Sequence, residues 1–372
     1  MARLLAACAA LAIVQTGYPA DDWIAREKIR AGWIYSSNGT DKLALFKQHG
    51  MNCLITHAGN ADTFTQWARA AKQADIRLIG VVGASFDGEK AGMRRCVFGN
   101  GYESVLPCPV EERYWSEVLT GLAVRLAEEG KRPDEEISGC LIDWEMYANS
   151  HKGGQIYYTD ACYCDHCFGG FLKAVAEGKL PGAGWKLTPG FQPSQVPFKD
   201  RVQWLRDHKL FGQYHPYLQA QVRAFAEQMR DRALAINPNF FVGFYPVPHN
   251  WHLRGVAQGL GKPDHPMILW ATSTYGGGGP RAIEDNWRDQ LLKDGIHCYY
   301  SGGMLLRFYS SENLAKNIFE IARKTDGYWL FTVHTLCIPE AEQNTDYYLA
   351  SGTPAEYLRE IKRANAELDH FA

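Results

Sequence analysis

Two carboxylates close the most apolar strand-like stretch in the middle of the chain. In Ser138-Gly139-Cys140-Leu141-Ile142-Asp143-Trp144-Glu145, Asp143 and Glu145 stand two positions apart. Cys140, Leu141 and Ile142 form a short apolar run of the kind shown by a strand covered on both faces. Continued as a strand through Glu145, the run puts both acids on one face, with Cα atoms roughly 6.5–7 Å apart. Two carboxyls so placed repel each other. That raises one pKa and leaves a proton donor beside an anion at neutral pH. Cleavage of a glycosidic bond needs such a pair. The plainer reading is that one acid caps the following segment and the other pairs with an arginine.

Such a strand needs a frame. Strand-like runs at 31–35, 52–57, 77–82, 240–245, 267–272, 297–306 and 328–333 join the acid-bearing run to make eight. Helix-like runs alternate with them at 40–49, 64–74, 111–129, 214–236, 284–293, 311–324 and 354–369. Tyr114, Trp115, Val118, Leu119, Leu122 and Leu126 recur at helical spacing in the third of these. The alternation predicts an α/β fold, a (β/α)8 TIM barrel with long insertions after strands 3 (83–108) and 4 (148–203). An open doubly wound sheet is the alternative. No glycine-rich nucleotide fingerprint follows the first strand, which disfavours it.

The chain has 372 residues, 46% hydrophobic and 13% aromatic, enough for a large core. A net charge of −2 gives no electrostatic case for nucleic acid or an anionic membrane as a partner. Arg3, the apolar stretch from Leu4 to Val14 and Tyr18-Pro19-Ala20 read as an export signal over 1–20. The expected mature protein is secreted or periplasmic and is a single barrel catalytic domain over 21–372. An ordinary amino-terminal helix is the alternative for the first segment.

In a barrel, the active site lies at the carboxyl ends of the strands. That places Trp33, Tyr35, His57, Tyr245, His249, Trp270, Tyr275, Arg307, Trp329 and His334 around the mouth as candidate substrate-binding residues. The set is rich in aromatic, hydroxyl and imidazole groups, which suits a sugar. A core role competes for each Tyr and Trp, and a hydrogen-bonded structural role for each His. Asp143 and Glu145 are the only acids within the expected strand ends. Retention assisted by a substrate group fits the lack of a seventh-strand acid. A water-based inverting mechanism would need a second acid from a loop, with Asp87, Glu340 and Glu342 as candidates. Glu312 directly follows Ser310-Ser311 and reads as first-turn helix chemistry. The chain has no G-x-S-x-G elbow and no H-E-x-x-H.

Gly139, Asp143, Trp144 and Glu145 match the fourth-strand signature D-G-x-D-x-D-W-E, so the run resembles the family 18 glycoside hydrolases, the chitinase family. Ser138 and Leu141 replace the two earlier aspartates. The resemblance implies Glu145 as general acid and a shortened proton relay. It also implies Asp143 as the group that stabilises or orients a participating acetamido group, with a tyrosine such as Tyr245 or Tyr275 assisting. The pattern Cys108…Cys162-Tyr163-Cys164-Asp165-His166-Cys167 flanks the same strand and is similar to the structural zinc cluster of the family 42 β-galactosidases. That likeness spans about 108–171 and implies Cys108, Cys162, Cys164 and Cys167 as four thiolate ligands. That family's seventh-strand nucleophilic glutamate has no counterpart here. The competing reading is disulfides, Cys164 with Cys167 or Cys162, and Cys96 with Cys108.

These readings converge on a secreted glycoside hydrolase acting on an oligosaccharide or polysaccharide. Glu145 is its acid/base and Asp143 its stabiliser, no cofactor serves catalysis, and zinc is at most structural. A catalytically inactive carbohydrate-binding barrel is the second reading. A hydrolase or lyase acting on another kind of bond is the third.

Overall fold

A computed structural model describes residues 23–34, 39–83, 86–148, 161–180, 186, 190–337 and 347–371. The expected signal, Tyr35, Glu340 and Glu342 lie outside the described residues. Among those described, no helix is long and apolar enough to cross a membrane.

In chain order the strands are β1 (Ile29–Trp33), β2 (Cys53–His57), β3 (Arg77–Val82), β4 (Arg95–Val97), β5 (Glu103–Pro107), β6 (Gly139–Asp143), β7 (Phe241–Tyr245), β8 (Met267–Ala271), β9 (Cys298–Leu305) and β10 (Gly327–Phe331). Eight of them close into a barrel in the order β1-β10-β9-β8-β7-β6-β3-β2, with every neighbouring pair parallel. The expected (β/α)8 barrel is therefore the fold. β4 and β5 form a separate antiparallel hairpin inside the insertion after β3.

Alternation along each strand sorts side chains between two cores. Ala31, Trp33, Ile79, Val81, Leu141, Ile268 and Trp270 fill the lumen. Leu54, Leu78, Cys140, Ile142, Val242 and Leu269 face the surrounding helices. The same alternation turns Asp143, two after Leu141, toward the lumen. Below, the short helix Trp23–Glu27 plugs the amino-terminal end. Trp23 is buried edge-on against Phe241, their ring centroids 6.2 Å apart.

Two helices shape the ground beneath the acids. The third predicted helix starts with a wide π-type segment, Tyr114–Leu119, before the regular Thr120–Glu129. It sets Trp115 against Trp144, centroids 5.4 Å apart. The long helix Phe211–Ile236 packs against Trp251–Leu260 almost backbone to backbone. A Cβ at Gly259 would stand 2.4 Å from the Arg223 carbonyl oxygen.

Candidate active site

β6 ends at Asp143, not at Glu145. Glu145 opens a helical turn, Glu145–Ala148, so the two acids do not share a strand face as the spacing suggested. Trp144 makes the change of direction. Its ring is fully buried between Trp115 and Tyr147, and its backbone N–H donates to the Tyr245 carbonyl at 3.0 Å. The Glu145 backbone N–H then donates to Asp143 Oδ1 at 2.9 Å. Asp143 thus caps the turn that presents Glu145, part of what the plainer reading held. The other part fails: among the described residues neither acid has an arginine or lysine partner.

Asp143 keeps some surface open to the mouth, but protein atoms crowd most of it. Burial pushes its carboxyl up to about 7. The Glu145 charge pushes the same way, and the Glu145 N–H opposes both. Tyr245 is in register with Asp143 on the neighbouring strand. Burial, then the charges of Glu145 and Asp143, hold its phenol well above the usual tyrosine range. It stays a neutral donor beside the pair.

The remaining candidates separate into layers. Trp33, Trp270 and Trp329 are at most 1% exposed and form a sealed floor. Trp33 lies 5.5 Å from Trp329 and 5.4 Å from Tyr245, centroid to centroid. Above the floor stand Tyr275, 5.1 Å from Trp329, and half-buried His57, 6.4 Å from Trp33. Arg307 and His334 sit partly open on the turns after β9 and β10. His249 is exposed, its Nδ1 3.0 Å from the Val247 carbonyl oxygen. Asp87 is engaged in its own turn, accepting the Lys90 N–H at 2.9 Å and pairing with the Lys90 ammonium at 3.2 Å. Nothing in its geometry aims it at the acid pair.

The four cysteines do converge. The Sγ atoms of Cys108, Cys162, Cys164 and Cys167 all lie within 4.8 Å of one another, and all four residues are buried. Cys108 and Cys167 are 3.3 Å apart, sulfur to sulfur. All the described cysteines are free thiols. Cys96 lies next to Cys162. The Val97 N–H points at Cys162 Sγ from 3.3 Å, a donor suited to a sulfur carrying charge. The cluster straps the β4–β5 hairpin to the segment after β6. Phe98 bridges to Ala161, the Tyr163 N–H donates to the Val97 carbonyl at 2.8 Å, and Tyr214 donates to the Cys162 carbonyl at 2.6 Å. Tyr147, on the Glu145 turn, donates to the carbonyl of Pro107, the residue before Cys108, at 2.7 Å. The strap therefore reaches the candidate acid through one hydrogen bond.

Sequence reasoning missed the supports. Trp144 and Tyr147 lie three apart, a helical spacing that signalled the turn. Tyr114, which donates to the Gly83 carbonyl at 3.1 Å and borders Asp143, gave no local signal beyond its helix face.

No protein-family model matches the sequence, and no curated protein matches it. Among solved structures the chain is similar to the catalytic domain of a β-amylase from Paenibacillus polymyxa, with a TM-score of 0.58 and 13% identity over 91% of this chain and 99% of that one. It is similar to a β-galactosidase from the psychrophilic Marinomonas ef1, with a TM-score of 0.61 and 10% identity, covering 92% of this chain and 60% of the other. A family 42 β-galactosidase from G. stearothermophilus gives 0.57 and 10%, covering 93% and 57%. This chain thus spans about three-fifths of those galactosidase chains. These structural neighbours are glycoside hydrolases, and what the chain shares with them at such identities is the fold.

Proposed function

We propose that the protein is a glycoside hydrolase with Glu145 as general acid and Asp143 as its partner. One observation carries this reading: two carboxyls meet at the carboxyl end of β6 with no counter-ion among the described residues, over an aromatic floor. Groups lifted by burial and a neighbouring charge in a cleft are functional candidates. Glu145 gives its proton to the leaving oxygen. As positive charge grows on the sugar, it favours the anionic form of Asp143. Asp143 in that form stabilises the charge, and water adds to the anomeric carbon while its proton passes to the Glu145 carboxylate and restores the acid. Tyr245, held neutral, donates a hydrogen bond to oxygen at the reacting centre.

We further propose that the four cysteines hold a structural zinc ion. Four buried sulfurs in mutual reach suit a closed tetrahedral site, and nothing leaves a position open for substrate. The zinc would supply rigidity alone. Export through the segment 1–20 belongs to the same reading.

The test is product release from a panel of oligosaccharides and aryl glycosides, N-acetylhexosamine substrates included, with wild type and Glu145→Gln compared. Release that collapses in the variant supports the reading. Release that survives in it removes Glu145 from the role. The second reading, a barrel that binds carbohydrate without cleaving it, is favoured by one feature: none of the other seven barrel strands ends in a carboxylate. It predicts saccharide binding by both proteins and turnover by neither.

A further inference from the structure

Among the described residues few large apolar side chains are left in the open, and two of them stand on one side of the mouth. Phe308, 51% exposed, ends the turn after β9, and Tyr348 is 42% exposed. Tyr348 shares with Arg307 and Phe331 a small crevice at the ends of β9 and β10. The Arg307 guanidinium lies 5.3 Å from the Phe308 ring centroid, so Phe308 adjoins that crevice through Arg307. Around the ring of eight, β10 is four strands from β6 in either direction, and β9, which carries Phe308, is three strands from it by the shorter way. The exposed rings therefore face the acid pair across the mouth.

The ground between them is aromatic throughout. From Tyr245 beside the acids, Tyr275 is 6.4 Å away, Phe331 a further 6.3 Å and Tyr347 a further 5.8 Å, centroid to centroid. Exposed aromatics continuous with a site mark a binding surface. A pyranose offers an apolar face of C–H groups to such a ring while its hydroxyls stay in water. A single sugar at the acids would not reach the far rim.

We infer that the mouth binds a chain of sugars running from the acid pair across the barrel to Phe308 and Tyr348, which stack on a unit beyond the bond that is cut. The inference rests on the glycosidase reading and names its substrate class: an extended glycan, not a lone glycoside. Both side chains are exposed, so Phe308→Ala, Tyr348→Ala and the double variant keep the wild-type fold, which a thermal melt checks.

The first readout is kcat/KM over a length series of oligosaccharides, with the aryl glycoside of the same sugar as reference. Wild type gains with length. The double variant loses that gain, falling about tenfold or more further on long substrates than on the aryl glycoside. Equal losses on both, or no gain with length in wild type, overturn the inference. The second readout does not need cleavage: mobility in native gels cast with galactan, mannan, xylan or soluble starch. Retardation of wild type that is lost in the double variant supports the inference even if nothing is hydrolysed, in which case the glycosidase reading alone fails. Equal retardation of both proteins, or none of wild type in any gel, overturns it.

Discussion

The two ends of the barrel treat their acids in opposite ways. At the amino-terminal face four acids have cations. Arg77 pairs with Glu27 at 3.2 Å, Lys72 with Glu136 at 3.7 Å, Lys47 with Asp75 at 2.6 Å and Arg30 with Asp369 at 2.5 Å. The hydrogen bond from Lys47 holds the Asp75 carboxyl below its usual range. At the mouth, Asp143 is pushed up to about 7, and no cation reaches it among the described residues. The amino-terminal face also has a cavity of about 380 Å³, lined by Lys72, Arg77 and Glu136 among others. Volume is thus a poor guide to function here. Its charges are already neutralised by one another, whereas at the mouth neither acid has a cation among the described residues and Asp143 is held at an energetic cost that packing alone does not require.

The sharpest way to break this contrast is Glu145→Gln. Hydrolysis should fall by about 10²–10⁴-fold with the melting temperature nearly unchanged, as expected for a lost proton donor. A comparable loss from Arg77→Met at the other end would erase the distinction between the two faces. The next effect tests the strap beside the mouth. Cys164→Ser, or a strong chelator, should lower the melting temperature by on the order of 10 °C, with about one zinc per chain found by metal analysis of wild type. A metal-free protein with bonded Cys164 and Cys167 would sink the zinc proposal.

A smaller effect reads Asp143 directly. Its folded pKa is raised, so its protonated form stabilises the fold at low pH, and that contribution is lost as pH climbs from about 4 through about 7. Asp143→Asn should match wild type near pH 4 and be the more stable protein above pH 7. The difference should be about 1–2 kcal/mol, short of the full shift because the carboxyl is partly open to water. Equal stability at both pH values would show that Asp143 is not lifted. The smallest effect belongs to the opposite face. Arg77→Met leaves Glu27 half-exposed and should cost about 1 kcal/mol or less, with activity intact.

What the sequence made legible follows from periodicity. β3 and the helix Ser311–Lys324 lie where an apolar run and helical spacing put them, because the strand is buried on both faces and the helix on one. The acids were found as a pair for the same reason, since the strand before them is unmistakable. Their geometry was not, because Trp144 leaves the strand to pack between nearby Tyr147 and Trp115, and Trp115 lies on a separate helix that no local pattern ties to β6. The helix Trp251–Leu260 was hidden by Gly255 and Gly259, poor helix formers that are present so that it can approach Phe211–Ile236. The β4–β5 hairpin was hidden by shortness and by the exposed charges of Arg95 and Glu103. It is held by the cysteine strap, a contact between Cys108 and Cys167 across 59 positions that no local window contains.

That strap also separates two things a mouth has to do. The turn bearing Glu145 is fixed from behind, through Tyr147 and Pro107, to a cluster of sulfurs. The Phe308 and Tyr348 side chains stand on the far rim, on segments with no share in that anchoring. On the proposed reading, descendants of this chain could exchange the far rim, and with it the glycan they grip, generation after generation while the acid pair stays in place.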